Sequence, residues 1–179
     1  MKGVVFTQYL EMVEEKFGFD ISDEMIEKSG VSGVYTQAGN YPATDLLAMV
    51  KSLSEITNIS VADLVFTYGE HLFEILIKIY PEPVKKYNNS FEFISNVESV
   101  VHPEVKKLYP DSDLPTFELL SMDEKKMVIV YKSSKPMMDF AKGLMIGCAK
   151  HYNEDLEVSY DEPQVIDGLF NAKFTLIRK

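Results

Sequence analysis

The sequence predicts an α+β protein: a helical N-terminal lobe, then a lobe with helices built on a four-stranded antiparallel sheet. Up to Pro81 the apolar residues recur at three- and four-residue spacing, and from residue 115 the apolar period shortens to two. Length is the second guide. At 179 residues the chain makes one domain, or two small lobes sharing a core. A chain of this size buries roughly 70% of the surface its unfolded form exposes, which leaves room for an enclosed ligand.

The elements follow in order. Val5, Tyr9, Met12, Val13 and Phe17 share a helical face that Gly18 stops. "SDEMIEKSG" predicts a helix capped by Ser22, acidic in its first turn and ended by Gly30. "TDLLAMVKSLSEITN" repeats the period through Leu46, Val50 and Leu53. "SVADLVFTYGEHLFEILIKIYP" opens with Ser60 and Asp63 at capping-box spacing and closes before Pro81. Being apolar on most of its circumference, that helix is expected to lie centrally buried. "TFELLSM" and "MVIVY" flank the polar turn "DEKK" as an antiparallel hairpin. A helix, "PMMDFAKGLMIGCAKHY", starts with Pro136 in its first turn. "LEVSY" and "AKFTLIRK" supply the other strand pair, joined by a turn-rich segment around Pro163 and Gly168.

Composition excludes several functions. A net charge of −10 disfavours nucleic acid and anionic membrane surfaces, which select for Lys and Arg. The single cysteine, Cys148, excludes an internal disulfide and a thiolate zinc cluster, and suits a reducing cytoplasm. The N-terminal segment turns acidic by position 11, so neither a signal peptide nor a membrane span is expected there, and the protein is expected to be soluble and cytoplasmic.

Three histidines remain to be explained. His151 ends a helix, where a cation complements the dipole. His71 sits inside the long apolar helix and reads as a hydrogen-bonded core residue. No pair has the spacing of a zinc hydrolase. His102 stands in "ISNVESVVHPEVKKLYP", residues 94–110, at the edge of a stripe made by Val97, Val101, Val105 and Leu108. It can thus aim at a buried space without being packed over. Pro103 cannot donate a backbone N–H and disfavours ordinary helical geometry at His102, so the helix is expected to kink or restart there. Core residue and metal ligand both fit this setting.

In "YKSSK", residues 131–135, strand alternation puts Tyr131, Ser133 and Lys135 on one face. A phenol, a hydroxyl and an ammonium together can hold carboxylates or a phosphate; a wet strand end has the same composition. Gly143 and Gly147 clear one face of their helix, which suits close helix packing equally well.

Taken in order, "MKGVVF", "HPEVKKLYP…LP" and "YKSSK" resemble the haem nitric oxide/oxygen-binding (H-NOX) family, related to the sensor domain of soluble guanylate cyclase. The likeness runs over nearly the whole chain and is of the stand-alone bacterial type. It implies a single haem-binding domain over 1–179, with a helical lobe at 1–60, a haem-bearing α+β lobe at 61–179 and haem b enclosed between them. His102 would be the axial ligand to iron, and Tyr131, Ser133 and Lys135 would hold the haem propionates. Pro115 would press on the macrocycle. One histidine suffices because haem takes one protein ligand and leaves its other face open to gas.

Lys135 departs from the arginine of the family motif and loses the planar fork that grips a carboxylate at two points. Arg178 is the only arginine, so no neighbour replaces it. On the distal side, the tyrosine that oxygen-binding relatives use corresponds to Phe140, with Leu72 expected nearby. Neither donates a hydrogen bond, so the resemblance implies a sensor of NO, with CO a further ligand and oxygen excluded. Tyr9 or His71 would change that by reaching the pocket. NO would weaken the Fe–His102 bond, and release of His102 with lobe movement would signal to a histidine kinase or a cyclic-di-GMP enzyme. The alternatives are a haem enzyme of peroxidase-like or NO-converting type, for which only His71 could act as acid and base, and a cofactor-free interaction module.

Overall fold

Gly18 adopts φ +89°, a left-handed conformation that lets α1 (Gly3–Phe17) end and α2 (Phe19–Ser29) begin without a linker. The structure, a computed structural model, describes residues 1–179 apart from the side chain of Leu108. That last member of the expected stripe therefore lies outside the described residues. The chain forms two units, Met1–Tyr68 and Gly69–Lys179.

The first unit holds α1, α2, α3 (Ala43–Thr57) and the start of α4 (Val61–Ile79). Of the predicted α1 face, Tyr9, Met12 and Val13 are fully buried while Val5 and Phe17 are only half-buried, and Phe6, Met25, Leu46 and Leu53 complete the core. Tyr68 donates its phenol to the carbonyl of Val5 and meets the Tyr9 ring edge-on at 5.1 Å. Ser22 is not a cap. Because Gly18 allows an immediate restart, α2 begins three residues earlier, and Ser22 lies buried within it. The expected cap at Ser60 is present: its Oγ accepts the Asp63 amide at 3.1 Å and donates to the Asp63 carboxylate at 2.6 Å. Burial of α4 is one-sided, along Leu64, Val65, Tyr68, Gly69, Leu72 and Phe73, with Glu74 and Lys78 exposed. No described helix is long and apolar enough to cross a membrane.

The second unit is built on an antiparallel sheet of β1 (Thr116–Met122), β2 (Lys126–Ser133), β3 (Leu156–Tyr160), β4 (Gln164–Ile166) and β5 (Leu169–Arg178). The order is β1-β2-β5-β3, with β4 also paired to β5. The sheet thus has five strands where four are expected. Gln164–Ile166 closes a tight hairpin through Asp167 and Gly168, both at positive φ, and pairs with Leu169–Asn171. Register sets Met127 against Leu176, Ile129 against Phe174 and Tyr131 against Ala172. These inward residues pack with Phe91 and Ile94 of α6 (Ser90–Ser95) and with Ala141, Met145 and Cys148 of α8 (Met138–His151). A short α5 (Glu82–Lys85) precedes α6. Cys148 is a buried small residue whose thiol burial pushes above its ordinary range.

Candidate functional site

His102 opens α7 (His102–Leu108) directly after a π-helical turn, Val97–Val101. Its amide donates to Val97 O, five residues back. Pro103 explains the widening. It has no N–H to give, and in a continuous α-helix its ring would press on the carbonyl four residues before it. A π turn relieves both problems, and such turns recur at functional sites. The helix therefore restarts as expected, but His102 keeps ordinary helical geometry (φ −61°, ψ −39°), contrary to the restriction expected before proline.

The His102 side chain is only 12% exposed. Its Nδ1 lies 3.1 Å from Glu98 Oε2, and the same oxygen accepts the Phe117 amide at 3.3 Å. A carboxylate has no hydrogen to give, so His102 Nδ1–H is the donor and Nε2 keeps its lone pair. Burial holds the imidazole below its usual range, against the opposing pull of the Glu98 hydrogen bond. Burial thus favours the uncharged ring, the form a metal takes. Phe117 stands 5.9 Å from His102 and 5.7 Å from Tyr131, linking the histidine to the polar cluster.

In that cluster Tyr131 and Ser133 share the buried face of β2, and the strand ends at Ser133. Lys135 lies beyond the strand and joins them through its backbone: its N–H donates to Ser133 Oγ at 3.1 Å, and its carbonyl accepts the Tyr131 hydroxyl at 3.4 Å. The lysine side chain makes a close ion pair with Asp113, whose carboxylate also accepts the Ser134 hydroxyl at 2.6 Å. Those two donors hold Asp113 below the usual carboxylate range. Arg178 is committed elsewhere, to Glu154 at 3.1 Å and over the Phe91 ring at 4.0 Å.

Pro115 immediately precedes β1 and is half-buried. Leu72, on α4, is 3% exposed, and Phe140, on α8, is half-buried. Their helices touch backbone to backbone: a Cβ on Gly69 would overlap the Phe140 carbonyl oxygen, and one on Gly147 would come within 2.9 Å of Phe73. Gly147 therefore serves close packing. His71 is half-buried on α4, and His151 ends α8, exposed beside Tyr152. Tyr9 belongs to the first unit, its hydroxyl buried there without a hydrogen-bond partner.

Glu98, Asp113 and Phe117 are missing from the expected site. Glu98 is four residues before His102, a spacing that pairs side chains on a helix and could have revealed it. No local signal marks Asp113, which meets Lys135 across 22 residues. The donor set fits haem: an imidazole whose Nε2 is left for iron, and Lys135, which with Ser134 rather than the expected Ser133 already holds the carboxylate of Asp113, the kind of group haem carries on its edge. Among the described residues no cluster of three or more His, Cys, Asp or Glu side chains could hold a bare metal ion.

An α+β unit with one little-exposed imidazole near a lysine–carboxylate cluster is compatible with a haem-sensor class of protein. The sequence matches the family described as Haem-NO-binding over residues 2–160, and the chain belongs to that family. Among solved structures it is similar to the Fe(II) unliganded H-NOX protein from K. algicida, with 35% identity, a TM-score of 0.92, and 100% of this chain and 97% of that chain covered. A point mutant of that protein, also Fe(II) unliganded, matches at 36% identity and a TM-score of 0.93, with the same coverage. An H-NOX protein from S. oneidensis in the Fe(II)NO ligation state matches at 25% identity and a TM-score of 0.89, covering 100% of this chain and 99% of that one. No curated protein sequence matches. Membership places the chain among haem-based gas-sensing domains of signal transduction, not among enzymes.

Proposed function

We propose that the protein is a cytoplasmic nitric oxide sensor that holds haem b through His102 and passes its signal to a partner protein when His102 is released. The observation that carries this is the His102 imidazole, little exposed and bonded through Nδ1 to a carboxylate, so that Nε2 is left for iron. When bound, haem supplies a ferrous iron that takes NO without help from a hydrogen-bond donor, whereas oxygen needs one. Phe140 and Leu72 offer no such donor, so they favour NO and exclude oxygen. Tyr131, Ser133 and Lys135 hold the propionates, and Pro115 presses on the ring. Release of His102 frees α7 to move as a unit, which alters the surface around it. A histidine kinase or a cyclic-di-GMP enzyme is the class of partner that reads such a change.

The test is the anaerobic absorption spectrum of the reduced, haem-loaded protein, repeated after NO and, on a fresh sample, after air. A five-coordinate spectrum after NO, with no stable oxygen complex in air, is the expected result. A stable oxygen complex would overturn the apolar distal side, and failure to take up haem would overturn the proposal.

Two substitutions sharpen it. Phe140→Tyr restores a donor and is expected to give measurable oxygen affinity; none at all would mean that residue 140 does not line the gas site. Lys135→Arg adds a planar fork that can hold Asp113 and a propionate together. One added charge-assisted bond is worth about 1.5 kcal/mol. Haem transfer to an acceptor protein should therefore slow by roughly tenfold, and an unchanged rate would mean the propionates lie elsewhere.

A further inference from the structure

We propose that Glu98 is a positioning residue for His102, holding the imidazole with Nε2 toward iron and tying the ligand's helix to β1. The proposal rests on the haem-ligand reading of His102 and on three facts of geometry. Glu98 lies within the π turn, one turn before the histidine. Its Oε2 meets His102 Nδ1 at 3.1 Å, which selects the Nδ1–H tautomer. The same oxygen takes the Phe117 amide at 3.3 Å, so one atom joins the His102 helix to the strand that carries the Phe117 ring.

Two consequences follow. A carboxylate on the far nitrogen makes an imidazole a stronger metal ligand, and loss of such a partner typically costs 10- to 100-fold in metal affinity. Glu98 is 41% exposed, so solvent screens the bond and the lower end of that range applies. The second consequence is mechanical. Glu98 and His102 share one short segment, whereas Phe117 belongs to the sheet. Movement of His102 away from iron must therefore strain or break one of the two bonds to Oε2, so the state of the ligand is felt at the first residues of β1.

The experiment compares the native protein with Glu98→Ala, Glu98→Gln and His102→Ala. In haem-free, ¹⁵N-histidine-labelled protein, NMR of His102 should report the Nδ1–H tautomer, and E98A should shift it toward Nε2–H. In reduced, haem-loaded protein, E98A should lower the iron–histidine stretching frequency and speed haem loss by roughly tenfold. E98Q, whose amide oxygen still accepts, should recover most of both. Tautomer, frequency and loss rate all unchanged in E98A would overturn the role of Glu98 while leaving His102 as ligand. An iron–histidine band that survives in H102A would instead overturn the ligand reading, and the proposal with it.

Discussion

Replacing His102 with alanine is expected to leave purified protein without stably bound haem, and added imidazole is expected to restore binding by supplying the missing nitrogen. Fold loss is a poor rival explanation. The side chain lies at a helix start, and its ring neighbour Phe117 remains to cover the gap. A substitution of this kind costs about 1 kcal/mol, small against the 5–15 kcal/mol of a typical domain. Haem, by contrast, stabilises whatever folded state binds it. A cofactor present at a thousand times its dissociation constant adds about 4 kcal/mol. The native protein should therefore melt several degrees higher with haem than without, and the His102→Ala protein should show almost no such difference. Equal haem content in the two proteins, measured by absorbance per chain, would remove His102 from the site.

The setting of His102 shows what kind of information a sequence carries openly. The apolar stripe around it and the proline after it are local patterns, and local patterns survive into the fold: α1, the Ser60 cap and the "DEKK" hairpin all form where their spacing places them. What stays hidden depends on partners distant in the chain or on competition between nearby ones. Lys135 reads as a free ammonium, yet Asp113 claims it across a loop and a hairpin. Ser22 reads as a cap only if Gly18 is a stop and nothing more; its positive φ makes it a junction as well. The π turn is a compromise between Pro103 and the apolar stripe, each legible alone, whose joint solution no periodicity announces. The unexpected strand, β4, is only three residues long, too short for alternation to show.

Gly69→Ala is expected to be the most damaging single-methyl change in the second unit. In an exposed helix this substitution would stabilise by about 1 kcal/mol, because glycine loses more backbone freedom than alanine on folding. Gly69 is buried, and what surrounds it is backbone. The new Cβ would overlap the carbonyl oxygen of Phe140 and approach Gly143 Cα and Leu144 N to 3.0 Å. A side chain can rotate out of such an overlap, but a helix backbone can yield only by moving the helix. Overpacking of this kind costs typically 1–3 kcal/mol and occasionally more, and rigid neighbours put Gly69 at the upper end. The clash therefore outweighs the propensity gain, for a net loss of about 2 kcal/mol. At roughly 2–4 °C per kcal/mol for a chain of this length, the melting temperature should fall by about 4–8 °C. Gly147→Ala should cost less, since its nearest neighbours, the Phe73 Cβ at 2.9 Å and the Glu70 carbonyl at 3.2 Å, lie farther off than the Phe140 carbonyl does from a Cβ on Gly69. Leu72 and Phe140 lie on the two helices that Gly69 brings together, so under the proposed function the surviving folded protein should also show a changed gas-binding spectrum. An unchanged or raised melting temperature in Gly69→Ala would mean that α4 and α8 do not approach as closely as their backbones indicate.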